Sequence, residues 1–114
     1  MLRYVTWKTH KPIALPLGQV VASGDAAPQV RDPARAAAIG DTDALVAHIQ
    51  ATIARSLAEV LQGMEPSAEQ LLGLRDEIAS ITLVSANRKL ATHDVVLLDL
   101  AIAELEMTST QAAQ

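Results

Sequence analysis

Thr92-His93-Asp94-Val95-Val96-Leu97-Leu98-Asp99-Leu100-Ala101-Ile102-Ala103-Glu104-Leu105-Glu106-Met107 is the stretch on which the fold class turns. Thr92-His93-Asp94 reads as a cap followed by an acidic first turn, so the pattern predicts a last helix through about Met107. At about 100° per residue, Leu98, Ile102 and Leu105 line one side of that helix. Val96, Leu100 and Met107 line the opposite side. At roughly 25 cal/mol per Å² of apolar surface, leaving either side in water forfeits several kcal/mol, comparable with a small domain's whole stability. A layer of helices on each side is therefore expected, one of them supplied by another chain.

The same pattern extends upstream. Ser67-Ala68-Glu69-Gln70 carries the capping-box spacing and opens a helix running to about Ala91. Leu71, Leu74, Ile78 and Ile81 form one apolar line on it, and Leu72, Ala79, Leu83 and Leu90 a second. Before it, Asp41 or Thr42 caps a helix from about Asp43 to Gln62, with Gly63 as the left-handed stop. Leu45, Val46, Ile49, Ile53, Leu57, Val60 and Leu61 share its core-facing arc. A stripe of Ala44, Ala47, Ala51, Ala54 and Ala58 lies beside that arc, and His48, Thr52, Arg55, Glu59 and Gln62 make the polar face. The short Met64-Glu65-Pro66 link predicts an antiparallel helical hairpin. Asp32-Pro33 opens a short helix over residues 34–39 that Gly40 ends.

Residues 1–31 read differently. Leu2 to Lys8 alternates in part and uses β-formers, Pro12 and Pro16 favour extended backbone, and Gln19 to Ala22 reads as a second short strand ending at Ser23-Gly24-Asp25. The expected fold is mainly α: a three- or four-helix body over 32–107, an extended arm over 1–31 with one or two short strands, and a polar tail over 108–114. Val96, Leu100, Met107, Leu72, Leu83 and Leu90 are the expected interface between chains.

The 114 residues leave room for one domain. Half are apolar, but 21 are Ala and only Tyr4 and Trp7 are aromatic, so the core is built from Leu, Ile and Val. A net charge of −4 argues against a nucleic-acid partner. The charge divides unevenly: residues 1–40 carry five bases against Asp25 and Asp32, and the remainder carries four bases against eleven acids. The arm and the body are thus electrostatically complementary. Without Cys, disulfides, thiol catalysis and Cys-ligated metals are excluded. No apolar run approaches the roughly 20 residues of a membrane span. Arg3, Lys8 and Lys11 precede Ile13 to Ala22 in the order of a secretory signal, but Pro16, Gly18 and Gln19 interrupt it. A cytoplasmic protein, or one exported without cleavage, is expected.

Catalytic patterns are few. No Gly-rich phosphate loop, His-Glu-x-x-His or nucleophile elbow occurs, and His10, His48 and His93 are scattered, so neither a cofactor nor a metal is expected. Arg88 and His93 are separated by four residues where the third helix yields to the last. That spacing resembles the Arg-x4-His element of HEPN-type ribonucleases, small helical domains that dimerise. The resemblance implies that Arg88 stabilises phosphate charge and His93 moves the proton of a 2′-hydroxyl attack. The order over 43–107, an amphipathic helix, the Pro66-Ser67 turn, Gln70-Leu71-Leu72 and a long two-faced helix, resembles the helical hairpin of type III secretion needle and inner-rod subunits. It implies self-assembly. The expected function is thus a non-enzymatic interaction or assembly subunit whose partner is itself or a larger protein. A small acidic, phage-type inhibitor or adaptor and the ribonuclease are the alternatives.

Overall fold

The computed structural model describes residues 4–9, 11–16 and 18–108. In chain order the elements are β1 (Val5–Lys8), β2 (Ile13–Leu15), β3 (Gly18–Val30), α1 (Pro33–Ala36), α2 (Thr42–Met64), α3 (Ala68–Gly73), α4 (Arg75–Leu90) and β4 (Val95–Thr108), with a 3₁₀ turn over Ala91–His93 before β4. The fold is mixed α/β rather than mainly α. β3 is the central strand of an antiparallel sheet, with β1 and β2 end to end along one edge and β4 along the other. Burial alternates strictly along β3, so one face of the sheet lies under the helices and the other is solvated. One core joins residues on both sides of position 31, from Val5 and Trp7 through Ile49, Leu57 and Ile78 to Leu105.

Residues 95–107 are the largest departure from the helical expectation: they form a strand, not a helix, and with them the helical-bundle and helical-hairpin descriptions fall. The register explains the misleading pattern. Leu97 pairs with Pro28 but Asp99 with Ala27, and Ile102 pairs with Gly24 but Glu104 with Ser23, so Leu98 and Ala103 are each an extra residue in a β-bulge. The inward positions become Val95, Leu97, Leu100, Ile102, Leu105 and Met107, spaced two, three, two, three and two. Two bulges turn a period of two into something that samples a helical period, and the pattern then reads as two helix faces. Asp94, in the left-handed region at φ 54°, swings the chain from the 3₁₀ turn into this strand.

The arm is also more of a sheet than its composition implies. β3 does not stop at Ser23-Gly24-Asp25 but runs through it to Val30. Gly24 serves a close approach, not a turn: a Cβ there would overlap the Ala101 carbonyl oxygen and stand 3.0 Å from Trp7 Cζ2. The arm therefore packs in cis, its Trp7 and Val5 buried beneath the sheet. Leu2 and Arg3 of the expected first strand, and 109–114 of the tail, lie outside the described residues.

The helices begin where the sequence places them. Ala34 N–H donates to Asp32 Oδ1 at 3.0 Å, Ala44 N–H to Asp41 Oδ1 at 2.9 Å, and Ser67 and Gln70 make both bonds of a capping box, at 3.0 and 3.2 Å. The end of α2 differs: Gly63 is still helical, and the left-handed residue is Glu65, at φ 49°. The third helix is broken at Leu74 into α3 and α4. α2 is long and apolar enough in composition to cross a membrane, yet its apolar arc lies on the sheet.

The side on which α4 packs is unexpected. Ala47 and Ala51 of the alanine stripe are exposed, while Thr52, assigned to the polar face, is buried and only 5% exposed. α4 lies along the polar side of α2, where Lys89 reaches Ser56 and Glu59, while Thr82 Oγ1 and His93 Nδ1 are buried without a partner among the described residues. Thr52 Oγ1 donates to the His48 carbonyl one turn back at 2.8 Å, so its hydroxyl is buried without cost to the neighbouring helix.

Candidate functional site

β3 outruns β1. Val5 pairs with Ala26, so from Ala27 to Val30 the strand has β4 on one side and no described strand on the other. Arg31 N–H donates to the Asp94 carbonyl at 2.8 Å at the end of the β3–β4 ladder. Counting back by twos, Gln29 also turns its backbone groups to β4, and Val30 and Pro28 turn theirs to the side away from β4. Pro28 has no N–H to offer there, which blunts this edge against strand addition. Side chains are what this end of the sheet presents.

Those side chains line a groove of about 850 Å³ beside the Ala27–Val30 end of β3. Pro28, Val30, Pro33 and Leu45 form its floor and wall, and Tyr4 and Leu98 rim it. Tyr4 is 75% exposed and Leu98 62%, large apolar surfaces left in water at the two flanks of β3. Leu98 stands out because it is the bulged residue of β4. Short helix α1 and the start of α2 close the groove, joined through Gly40 at φ 140°. The Arg35–Asp94 ion pair beside it, 3.3 Å and largely exposed, contributes little.

Exposed apolar side chains also lie beyond the far end of α2 and along α4. α2 spans 23 residues, about 34 Å at 1.5 Å per residue, and α3 follows its far end. Leu72 of α3 is 69% exposed there, and Ile81 and Val84 of α4 are exposed as well. The principal extents of 51 × 23 × 20 Å make the molecule elongated, with the groove beside the start of α2 and the exposed Leu72 beyond its far end.

The expected interface residues divide. Leu90 and Leu100 lie in the chain's own core, a correction that follows for Leu100 from its place on the inward face of β4. Val96, Leu83 and Met107 are half-buried, and Leu72 is exposed. Nothing in the helix pattern singled out Tyr4, Pro28 or Leu98 as a group, because the sheet brings them together.

The polar seam holds the remaining reactive groups. Lys89 Nζ donates to Glu59 Oε2 at 2.8 Å, Ser85 Oγ at 3.1 Å and Ser56 Oγ at 3.3 Å. A serine beside a lysine is the outline of a nucleophile and base, but this ammonium is shared with a carboxylate and Ser56 is fully buried. The cluster fastens α4 to α2. Arg88 is exposed, His93 is half-buried against His48, and no hydrogen bond joins Arg88 to His93 among the described residues. Burial, then His93, then Arg55, lower the pKa of His48. No group of three or more His, Cys, Asp or Glu that could hold a metal occurs among the described residues.

Asn87 performs a different task at the outer edge of β4. Leu97 N–H donates to Asn87 Oδ1 at 2.7 Å and Asn87 Nδ2 donates to the Leu97 carbonyl at 3.1 Å. One side chain thus imitates a neighbouring strand and closes part of that edge. No family model matches the chain, and no curated protein matches it.

Proposed function

We propose that the chain is a non-enzymatic assembly subunit that joins copies of itself head to tail, the Leu72 end of one copy seated in the Tyr4–Leu98 groove of the next. The observation that carries this reading is the placement of an apolar groove beside the start of α2 and of the exposed Leu72 beyond its far end in an elongated molecule. Complementary patches on different parts of one surface make heterologous contacts, which propagate into rings or filaments. The blunted edge at Pro28 and the Asn87 cover on Leu97 favour side-chain docking over strand pairing as the joint.

Sedimentation of the purified chain over a range of concentrations tests it. The mass should rise beyond that of a dimer, and Leu72→Asp and Leu98→Asp should each hold the protein as a monomer with unchanged circular dichroism. Both side chains are exposed in the single chain, so either charge is tolerated by the fold and penalised only in the joint. A wild-type chain that stays monomeric throughout, or stops at a closed dimer, refutes the proposal.

A further inference from the structure

α4 is fastened on two flanks and bare between them. Lys89 ties one flank to Glu59 of α2, and Asn87 ties the other to Leu97 at the edge of β4. Between those flanks Glu77, Ile81, Val84 and Arg88 are all exposed. At about 100° per residue they fall within about 60° of the helix circumference, a narrow stripe along one side. Neither Glu77 nor Arg88 belongs to an ion pair within the chain among the described residues.

The stripe is symmetric in position and opposite in charge. At about 1.5 Å per residue, Glu77 and Arg88 stand about 8 Å on either side of the midpoint between Thr82 and Leu83, and Ile81 and Val84 stand about 2 Å on either side of it. Turned end for end about that midpoint, the stripe meets itself. Glu77 comes level with Arg88 of a second copy and Ile81 with its Val84, and each pairing occurs twice. Helix-end electrostatics accounts for an acid in the first turn of α4 and a base in the last. It does not account for two aliphatic side chains left in water at the centre between them.

We infer that this face of α4 receives the same face of a second copy, antiparallel, across a two-fold axis through the midpoint between Thr82 and Leu83. A parallel pair would set Glu77 against Glu77 and Arg88 against Arg88, so the charges select the antiparallel one. Two aliphatic side chains from each copy and two ion pairs fall well short of the roughly 1,000 Å² that a stable interface buries, so free copies meet only transiently. The contact stands on α4 alone and does not need the head-to-tail joint. Its consequence rests on that joint. α4 runs back along α2, since Lys89 reaches Glu59 while His93 lies against His48, and a two-fold across α4 therefore reverses the direction of a head-to-tail row. Repeated along two rows, the weak contact is strengthened by number and holds one row beside another running the opposite way.

Disulfide trapping tests the contact, and a chain without Cys makes the probe specific. Val84→Cys is placed in the Leu98→Asp chain, where the head-to-tail joint is blocked, and its covalent dimer under mild oxidation is timed against that of Ala47→Cys, exposed on α2. Val84→Cys should be trapped faster. Adding Glu77→Arg or Arg88→Glu turns two attractive pairs repulsive and should slow trapping about 10-fold. Both substitutions in one chain restore the pairs at unchanged net charge and should recover the original rate. The side chains are exposed, so circular dichroism should be the same throughout. Trapping no faster than at Ala47→Cys, or a double exchange as slow as either single one, overturns the contact while leaving the head-to-tail joint standing. A wild-type chain that never assembles removes that joint and the rows, and leaves the trapping result as it is.

Discussion

Gly24→Ala adds one methyl group at the centre of the sheet, and the surroundings decide its cost. The backbone at Gly24 is not left-handed, so Ala is conformationally acceptable there and would by itself stabilise by about 0.4–1 kcal/mol through the unfolded chain. Space is the opposing factor. The new Cβ overlaps the Ala101 carbonyl oxygen and stands 2.9 Å from its carbon and 3.0 Å from Trp7 Cζ2. Restoring the carbon alone to an ordinary contact of about 3.5 Å needs a displacement of about 0.6 Å, and the oxygen needs more. The obstacle is backbone of a paired strand, held in register from Gln19↔Thr108 to Val30↔Val95, not the end of a flexible side chain. Overpacking costs about 1–3 kcal/mol where neighbours can give, and each strained ladder hydrogen bond adds about 1 kcal/mol. A net loss of about 3–4 kcal/mol follows, a large share of a small domain's stability. Urea unfolding followed by circular dichroism measures it against Gly63→Ala, where nothing lies within 4 Å and helix propensity predicts a gain of up to about 0.5–1 kcal/mol. A loss below about 1 kcal/mol for Gly24→Ala, too small for the overlap described, would refute the close approach of β4 to β3.

Asn87→Leu removes both bonds to Leu97, and unfolding by urea should show a loss of about 2–3 kcal/mol together with faster aggregation, since two backbone groups at the edge of β4 lose their partner. Glu65→Gly should raise the unfolding midpoint by the equivalent of about 1 kcal/mol, because Glu65 is exposed and left-handed, a conformation that costs an L-residue roughly 1–2 kcal/mol. His48 has a folded-state pKa lowered by burial, His93 and Arg55, so its contribution to stability is complete above the unfolded value of 6.5 and is lost as pH falls through the folded one. Melting curves across that range should show the slope in the wild type and a flatter profile in His48→Gln.

Features set by neighbouring residues were legible in the sequence, and features set by strand pairing were not. The Asp32, Asp41 and Ser67 caps depend on atoms two or three residues away, and the apolar arc of α2 depends on helical period alone; both stand in the structure as read. β4 failed because Leu98 and Ala103 interrupt its alternation, and a bulge is visible only against the partner strand. Gly24 was misread because a turn and a close approach call for the same residue. Thr52 was placed on the surface by polarity, whereas a small hydroxyl that bonds within its own helix can lie in a helix contact. The groove assembles Tyr4, Pro28, Pro33 and Leu98 from three parts of the chain, and no local spacing announces it.

Head-to-tail joining has a consequence that a two-fold interface lacks. Leu72→Asp retains an intact groove and Leu98→Asp retains an intact Leu72 end, so the two variants mixed can form one joint and no more. Sedimentation of the equimolar mixture should give a dimer from two species that are each monomeric alone. A mixture that remains monomeric while the wild type associates would contradict the joint.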